Sequence, residues 1–161
     1  MAICAPLRIL LADDSAIVRR HLREVIEDVA GVDVVAEAAD GAEAIDAVRA
    51  LRPEIVLLDL QMPRTNGLQA LRLVASDPWR PYVIVLTNHA DGAYRDACFA
   101  AGADRFFDKS ADLDGVLDAL RQRVREAVLS NKRRAEAGRT RDLDPSPSLP
   151  RGDSVPPERQ G

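Results

Sequence analysis

Cysteine is scarce in this chain: Cys4 and Cys98 are the only two among 161 residues. Two thiols are too few for a disulfide framework, and a reducing compartment is the simpler expectation. Long apolar runs are missing too, since no stretch approaches the roughly 18 consecutive apolar residues that a membrane-spanning helix needs. The amino terminus, MAICAPLRILLADD, carries no basic segment ahead of its apolar stretch and runs straight into two aspartates, which does not read as a secretory leader. Surplus positive charge is also lacking. The 22 Lys and Arg are outnumbered by 26 Asp and Glu, a net charge of −4. That balance argues against nucleic acid as the direct ligand, because phosphate recognition needs a basic footprint. These absences lead to the expectation of a cytoplasmic protein without membrane insertion.

What is present suits a globular domain of ordinary size, with 47% hydrophobic and 30% charged residues. Leu7 to Leu11 is a short apolar run that stops at Asp13-Asp14, and it reads as a first strand. From Ser15, the apolar residues Val18, Leu22, Val25 and Val29 recur at helical spacing, and Gly31 should close that helix. Val32 to Ala36 reads as a second strand. Asp40, with Glu43 three residues on, signals a helix start, and Ile45, Val48 and Leu51 form its inner face before Pro53 ends it. Ile55 to Leu58 is apolar throughout, as a strand covered on both faces should be. Asp59 follows directly. Pro63 and Asn66-Gly67 predict a turn, Asn-Gly because it tolerates positive φ. Leu68, Leu71 and Val74 make a third helix, Tyr82 to Leu86 a fourth strand ending at Thr87, and Asp91 to Ala101 an alanine-rich helix. Asp104 to Phe107 reads as a fifth strand ending near Lys109. Ser110 is placed to cap a last helix with Leu113, Val116, Leu117, Leu120, Val124 and Val128 on one side.

Five strand–helix units in alternation mean a parallel sheet with helices on both faces, joined by right-handed crossovers. Beyond residue 130 the composition changes. Lys132-Arg133-Arg134 is followed by a segment in which five of the ten prolines fall between Pro145 and Pro157. The expected division is a domain over residues 5–130 and a disordered proline-rich tail over 131–161, with room for a helical extension to about residue 138.

The chemistry gathers at the strand ends. Asp13 and Asp14 follow the first strand, Asp59 the third, Thr87 closes the fourth, and Lys109 follows the fifth. In a parallel sheet these ends share one edge, the crevice where open α/β sheets bind ligands. Three carboxylates in one hollow repel unless a cation sits among them. Carboxylates with retained waters are what Mg²⁺ prefers. Lys109 supplies a point charge suited to a phosphoryl group and Thr87 a hydroxyl. An Asp carboxylate can attack phosphorus, and the transfer asks mainly for positioning and for cations around the equatorial oxygens. Taken singly, each residue has a blander role as helix cap, turn former or solvated charge.

Together, LLADDS, IVLLDLQMP with Gly67, VIVLTN and GADRFFDKS resemble the receiver domain of two-component response regulators, over residues 7 to about 128. The resemblance implies a flavodoxin-like α/β fold, a five-stranded parallel sheet in the order 2-1-3-4-5, of which the family's chemotaxis member is a well-known example. It implies Asp59 as phosphoacceptor, Asp13, Asp14 and Asp59 with the Gln61 carbonyl as Mg²⁺ ligands, and Lys109 as the phosphate-pairing lysine. Thr87 is implied as the switch hydroxyl and Phe106 as the aromatic switch residue, although alternation alone does not say which of Phe106 and Phe107 faces the core. The implied partners are a sensor histidine kinase or phosphotransfer protein, a downstream protein target, and a second copy in a phosphorylation-dependent dimer. Such a protein catalyses only its own phosphorylation and slow dephosphorylation.

Two positions depart from the family pattern. Ser110 stands where proline usually follows the lysine, leaving the isomer of that bond open. Asn88 stands where a small residue usually follows the threonine. The expected protein is a stand-alone receiver, because the apolar content after residue 128 cannot build a helix-turn-helix. The alternative is a fragment of a larger regulator with a DNA-binding or enzymatic output domain. A receiver fold that signals without phosphate is disfavoured by the retention of all five site residues. An aspartate-nucleophile phosphatase is disfavoured by the spacing of Asp13-Asp14.

Overall fold

The computed structural model describes residues 4–141. Five strands and five helices alternate: β1 Leu7–Ala12, α1 Ala16–Glu27, β2 Val32–Ala38, α2 Gly41–Leu51, β3 Ile55–Leu58, α3 Gly67–Ala75, β4 Tyr82–Thr87, α4 Gly92–Ala100, β5 Arg105–Asp108 and α5 Leu113–Arg141. All strand pairs are parallel, in the order β2-β1-β3-β4-β5. This is the flavodoxin-like arrangement the sequence leads one to expect.

Alternation along the strands divides the core in two. Leu10, Val56, Leu58, Val83 and Val85 face one side and pack with Ala44 and Val48 of α2, Leu71 and Val74 of α3, and Cys98 of α4. Ile9, Leu11, Ile55, Leu57 and Ile84 face the other and pack with Leu22 and Ile26 of α1 and Val116 and Leu120 of α5. β3, central in the sheet, is buried along its whole length. Register settles the two phenylalanines. Val85 pairs with Phe106 and Leu86 with Phe107, and paired residues point to the same face. Phe106 is therefore in the core under α2, α3 and α4, and Phe107 packs on the opposite side.

Several local expectations are corrected. α1 ends at Glu27 with Asp28 as its cap, so Gly31 does not close the helix. Gly31 takes φ 90° three residues further on, its carbonyl accepting from the Leu7 N–H at 2.8 Å. Ile26 rather than Val25 is the fully buried residue of that turn. Leu51, the last residue of α2, is 38% exposed and not part of the inner face. The turn after β3 takes its positive φ at Arg64 (66°), not at Asn66-Gly67. Asn66 is instead the N-cap of α3, its side chain accepting from Gln69 N–H. Gly67 is required for space: a Cβ there would lie 2.2 Å from the Leu60 carbonyl oxygen. Ser110 does not cap α5. Its N–H and hydroxyl both donate to Asp108 Oδ1, at 2.8 and 2.6 Å, and the helix begins three residues later. Among the described residues every peptide bond is trans, Lys109-Ser110 included.

α5 continues helical to Arg141, somewhat beyond residue 138. The remainder of the expected proline-rich tail, residues 142–161, lies outside the described residues.

Candidate phosphoryl-acceptor site

The site is built by strand register. Ala12 pairs with Leu58, so Asp13 and Asp59 leave adjacent strands side by side, and the Asp59 N–H donates to the Ala12 carbonyl at 2.9 Å. On the far side, the Lys109 N–H donates to the Thr87 carbonyl at 3.0 Å, which brings the β5 loop up to the end of β4. Of the five residues singled out from sequence, Asp13, Asp59 and Lys109 thus meet in one hollow, with Thr87 buried behind it at the end of β4. Asp14, the fifth, sits exposed at its lip.

Within the hollow, Asp13 (2% exposed) and Asp59 (4%) are buried charges that need partners. Lys109 is the shared partner: its Nζ donates to Asp59 Oδ2 at 2.9 Å and forms an ion pair with Asp13 Oδ2. The second oxygens are satisfied by the backbone. Asp13 Oδ1 accepts from Ser15 N–H at 2.8 Å, and Asp59 Oδ1 accepts from Gln61 N–H at 2.9 Å. Burial alone would lower the pKa of the Lys109 ammonium, but its hydrogen bonds to Asp13 and Asp59 prevail and hold it above the usual lysine value.

One carboxylate oxygen from each of Asp13, Asp14 and Asp59 lies within 4.8 Å of the others. A single ion can therefore be shared among them. Hard anionic oxygens with access to water fit Mg²⁺ better than a softer metal, and the donor set passes that test. Three carboxylates against one ammonium leave the hollow net negative, which again favours a cation.

Thr87 is fully buried, its Oγ accepting from His89 N–H at 3.3 Å. Asn88 is exposed and lines the cleft above the hollow with Asp14, Asp59, Gln61, Lys109 and Ser110. His89 packs edge-on against Tyr94, ring centroids 6.4 Å apart. Phe106 lies away from the cleft, its ring 5.8 Å from the Arg95 guanidinium, which also covers Phe99 at 5.7 Å.

Two features of the site leave little trace in the sequence. Ile17, 82% exposed in the first turn of α1, forms an apolar rim on the cleft. Its signal was a large apolar residue off the inward stripe of the helix. Arg64 reaches from the loop after Asp59 to Asp40 Oδ2 at 3.2 Å, while Asp40 Oδ1 caps α2 through Glu43 N–H. That contact is long-range and leaves no local pattern.

Comparison with known proteins agrees with this geometry. Over 160 residues the chain is 34% identical to a protein-glutamate methylesterase/protein-glutamine glutaminase of Myxococcus xanthus, covering 99% of this chain and 45% of that one. It spans less than half the length of the methylesterase relatives it matches. Among solved structures, a LuxR-family two-component response regulator from Aurantimonas matches with TM-score 0.70 and 34% identity, over 76% of this chain and 87% of that one. The complex of CheX and CheY with BeF3 and Mg from Borrelia burgdorferi matches with TM-score 0.66 and 27% identity, over 71% of this chain and 86% of that one. No helix among the described residues is long and apolar enough to cross a membrane. The model of the response regulator receiver domain matches residues 9–121, and the chain belongs to that family of two-component signalling proteins.

Proposed function

We propose that residues 5–130 form a receiver that takes a phosphoryl group onto Asp59 from the phosphohistidine of a sensor histidine kinase or phosphotransfer protein. It then signals through phosphorylation-dependent protein binding. The observation that carries this reading is the convergence of Asp13, Asp14 and Asp59 within one ion's reach, with Lys109 bonded to both buried carboxylates.

In the transfer, an Asp59 oxygen attacks phosphorus as the P–N bond to the donor imidazole breaks, the electron pair returning to that nitrogen. Asp13, Asp14, Asp59 and the Gln61 carbonyl would hold a Mg²⁺ ion, which would supply positive charge to offset that of the phosphoryl group. Lys109 exchanges part of its contact with Asp59 for a phosphoryl oxygen and needs no long movement to do so. Gln61 N–H steadies the other carboxylate oxygen. Ile17 and the first turn of α1 offer an apolar landing for the donor protein beside the acceptor. Asn88 narrows access to the phosphoryl group and slows its loss by hydrolysis.

Switching follows as a population shift. The Thr87 hydroxyl turns from His89 N–H towards a phosphoryl oxygen, and Phe106 moves into the space it leaves. The repacked face then changes affinity for a downstream protein or a second copy. A Phe106→Ala variant is expected to gain phosphate normally yet lose the change in partner affinity.

A second reading is favoured by the length of the relatives: the receiver region of a larger regulator with an enzymatic or DNA-binding output domain. The parent reading frame decides between them, by whether it continues past Gly161.

The direct test is incubation with acetyl phosphate and Mg²⁺, followed by intact mass. The unmutated chain should gain one phosphoryl group and Asp59→Asn none. An unchanged mass for the unmutated chain would reject the proposal.

A further inference from the structure

Asp13 is held at every polar atom, and one of its partners lies outside the hollow. Its N–H donates to the Ala38 carbonyl at 3.0 Å, one carboxylate oxygen accepts from Ser15 N–H, and the other meets Lys109. The remaining group is the main-chain carbonyl, which accepts from Arg19 Nη1 at 2.6 Å. Arg19 comes from the first turn of α1 and is only 15% exposed. Its Nε donates to Glu37 Oε2 at 3.1 Å on the edge strand β2. Glu37 is anchored in turn by Arg23, whose Nη1 donates to its other oxygen at 2.7 Å and whose Nη2 donates to the Val34 carbonyl at 3.1 Å.

The carbonyl of Asp13 belongs to the peptide group that joins it to Asp14. A peptide group is planar, so fixing its oxygen fixes the direction in which the chain enters the next residue. Asp14 has no side-chain hydrogen bond or ion pair among the described residues, so its carboxylate is aimed by backbone alone. Resting on the reading of the hollow as an Mg²⁺ site, we infer that Arg19 is the positioning residue for Asp14, clamping the Asp13–Asp14 peptide so that the exposed carboxylate faces the ion. Glu37 completes the device. A bare guanidinium near the hollow would repel a divalent cation, and the Glu37 carboxylate cancels its charge without loosening its grip on the carbonyl.

Removal of a group that orients a metal ligand lowers metal affinity about 10- to 100-fold. Arg19→Gln in the full chain should weaken Mg²⁺ binding by about that factor, measured by calorimetric titration with MgCl2. Arg19→Lys, able to reach the carbonyl but not Glu37 as well, should recover part of the loss. Glu37→Gln should weaken binding less, through charge, and its deficit should shrink as ionic strength rises. The discriminating arm is a double-mutant cycle. Because Arg19 acts through Asp14, the pair Arg19→Gln with Asp14→Asn should bind Mg²⁺ no worse than Asp14→Asn alone.

Full additivity in the cycle, or unchanged affinity in Arg19→Gln, overturns the inference while leaving the site reading intact. An unmutated chain that takes no Mg²⁺ overturns both. Should Arg19→Gln fail to fold, the salt response of Glu37→Gln and the partial recovery in Arg19→Lys decide the matter: wild-type affinity in both rejects the clamp.

Discussion

The two rims of the sheet treat charge in opposite ways. Where the strands begin, charges are paired off or bonded to the backbone. Arg8 donates to the Leu51 and Arg52 carbonyls at 2.6 and 3.4 Å, and Glu54 accepts from the Arg8 N–H at 2.7 Å. Asp104 accepts from Val83 N–H at 2.8 Å and from both terminal nitrogens of Arg80 at 3.2 Å, while Trp79 Nε1 donates to the Pro53 carbonyl at 2.6 Å. Where the strands end, three carboxylates gather beside one ammonium, which pairs with Asp13 and Asp59 and leaves Asp14 unpaired among the described residues. The first rim resolves its electrostatics within the chain. The second keeps a surplus of negative charge, three carboxylates against one ammonium.

The contrast is open to direct attack. The largest effect should come from Asp59→Asn, which abolishes phosphoryl uptake and also removes one of three crowded like charges. Metal-free protein carrying it should melt higher by about 2–4 °C, equivalent to about 1 kcal/mol for a chain of this size, in a calorimetric scan. A lower melting point would mean that the far rim stores no repulsion. Next comes Asp104→Ala, which strands the Val83 N–H and leaves Arg80 only the Pro81 and Gly102 carbonyls. It should cost about 1.5–3 kcal/mol in urea unfolding and leave phosphoryl uptake untouched. A loss of uptake would show that the rims are not separable. A subtler change follows from Asn88→Ala, which should shorten the lifetime of phosphorylated Asp59 with no change in stability; an unchanged lifetime removes Asn88 from the account.

The smallest effect concerns Glu37. The hydrogen bond from Arg23 holds its carboxyl below the ordinary glutamate value, against burial, which acts the other way. A depressed pKa contributes stability above the ordinary value, and that contribution is lost as pH falls through the lowered one. Metal-free Glu37→Gln should therefore be less stable by about 0.5–1 kcal/mol near neutrality. The gap should close in acid, which a pH series of urea melts would reveal. A gap that stayed constant in acid would mean the pair contributes through packing alone.

Much of this was legible in the residues. The β3 strand, and Asp59 just after it, could be located from an all-apolar run and its abrupt end, and the five candidate residues from their places at the ends of four strands. The strand order came from family resemblance, since periodicity does not say which strands are neighbours. Other details needed three dimensions. Leu51 keeps the helical period yet is 38% exposed in the last position of α2. Asn66-Gly67 suggests a positive-φ turn, whereas its glycine answers to the Leu60 carbonyl, a contact fixed by tertiary packing. Ser110 had a capping side chain, but Asp108 two residues earlier claimed both its donors. The Arg19 contact with a main-chain oxygen has no side-chain signature at all.

One consequence follows from the shape of α5. From Leu129 to residue 139 every position is exposed, a stretch of helix about 16 Å long in which Asn131 Nδ2 donates to Cys4 Sγ at 2.9 Å. Its root is fixed: Val124 lies against Gly31, and the Arg123 guanidinium sits 4.4 Å from the centre of the Tyr82 ring. A tilt of about 10° there would carry residue 139 through about 3 Å. Small adjustments at the base are magnified with distance, as a pointer magnifies the turn of its spindle.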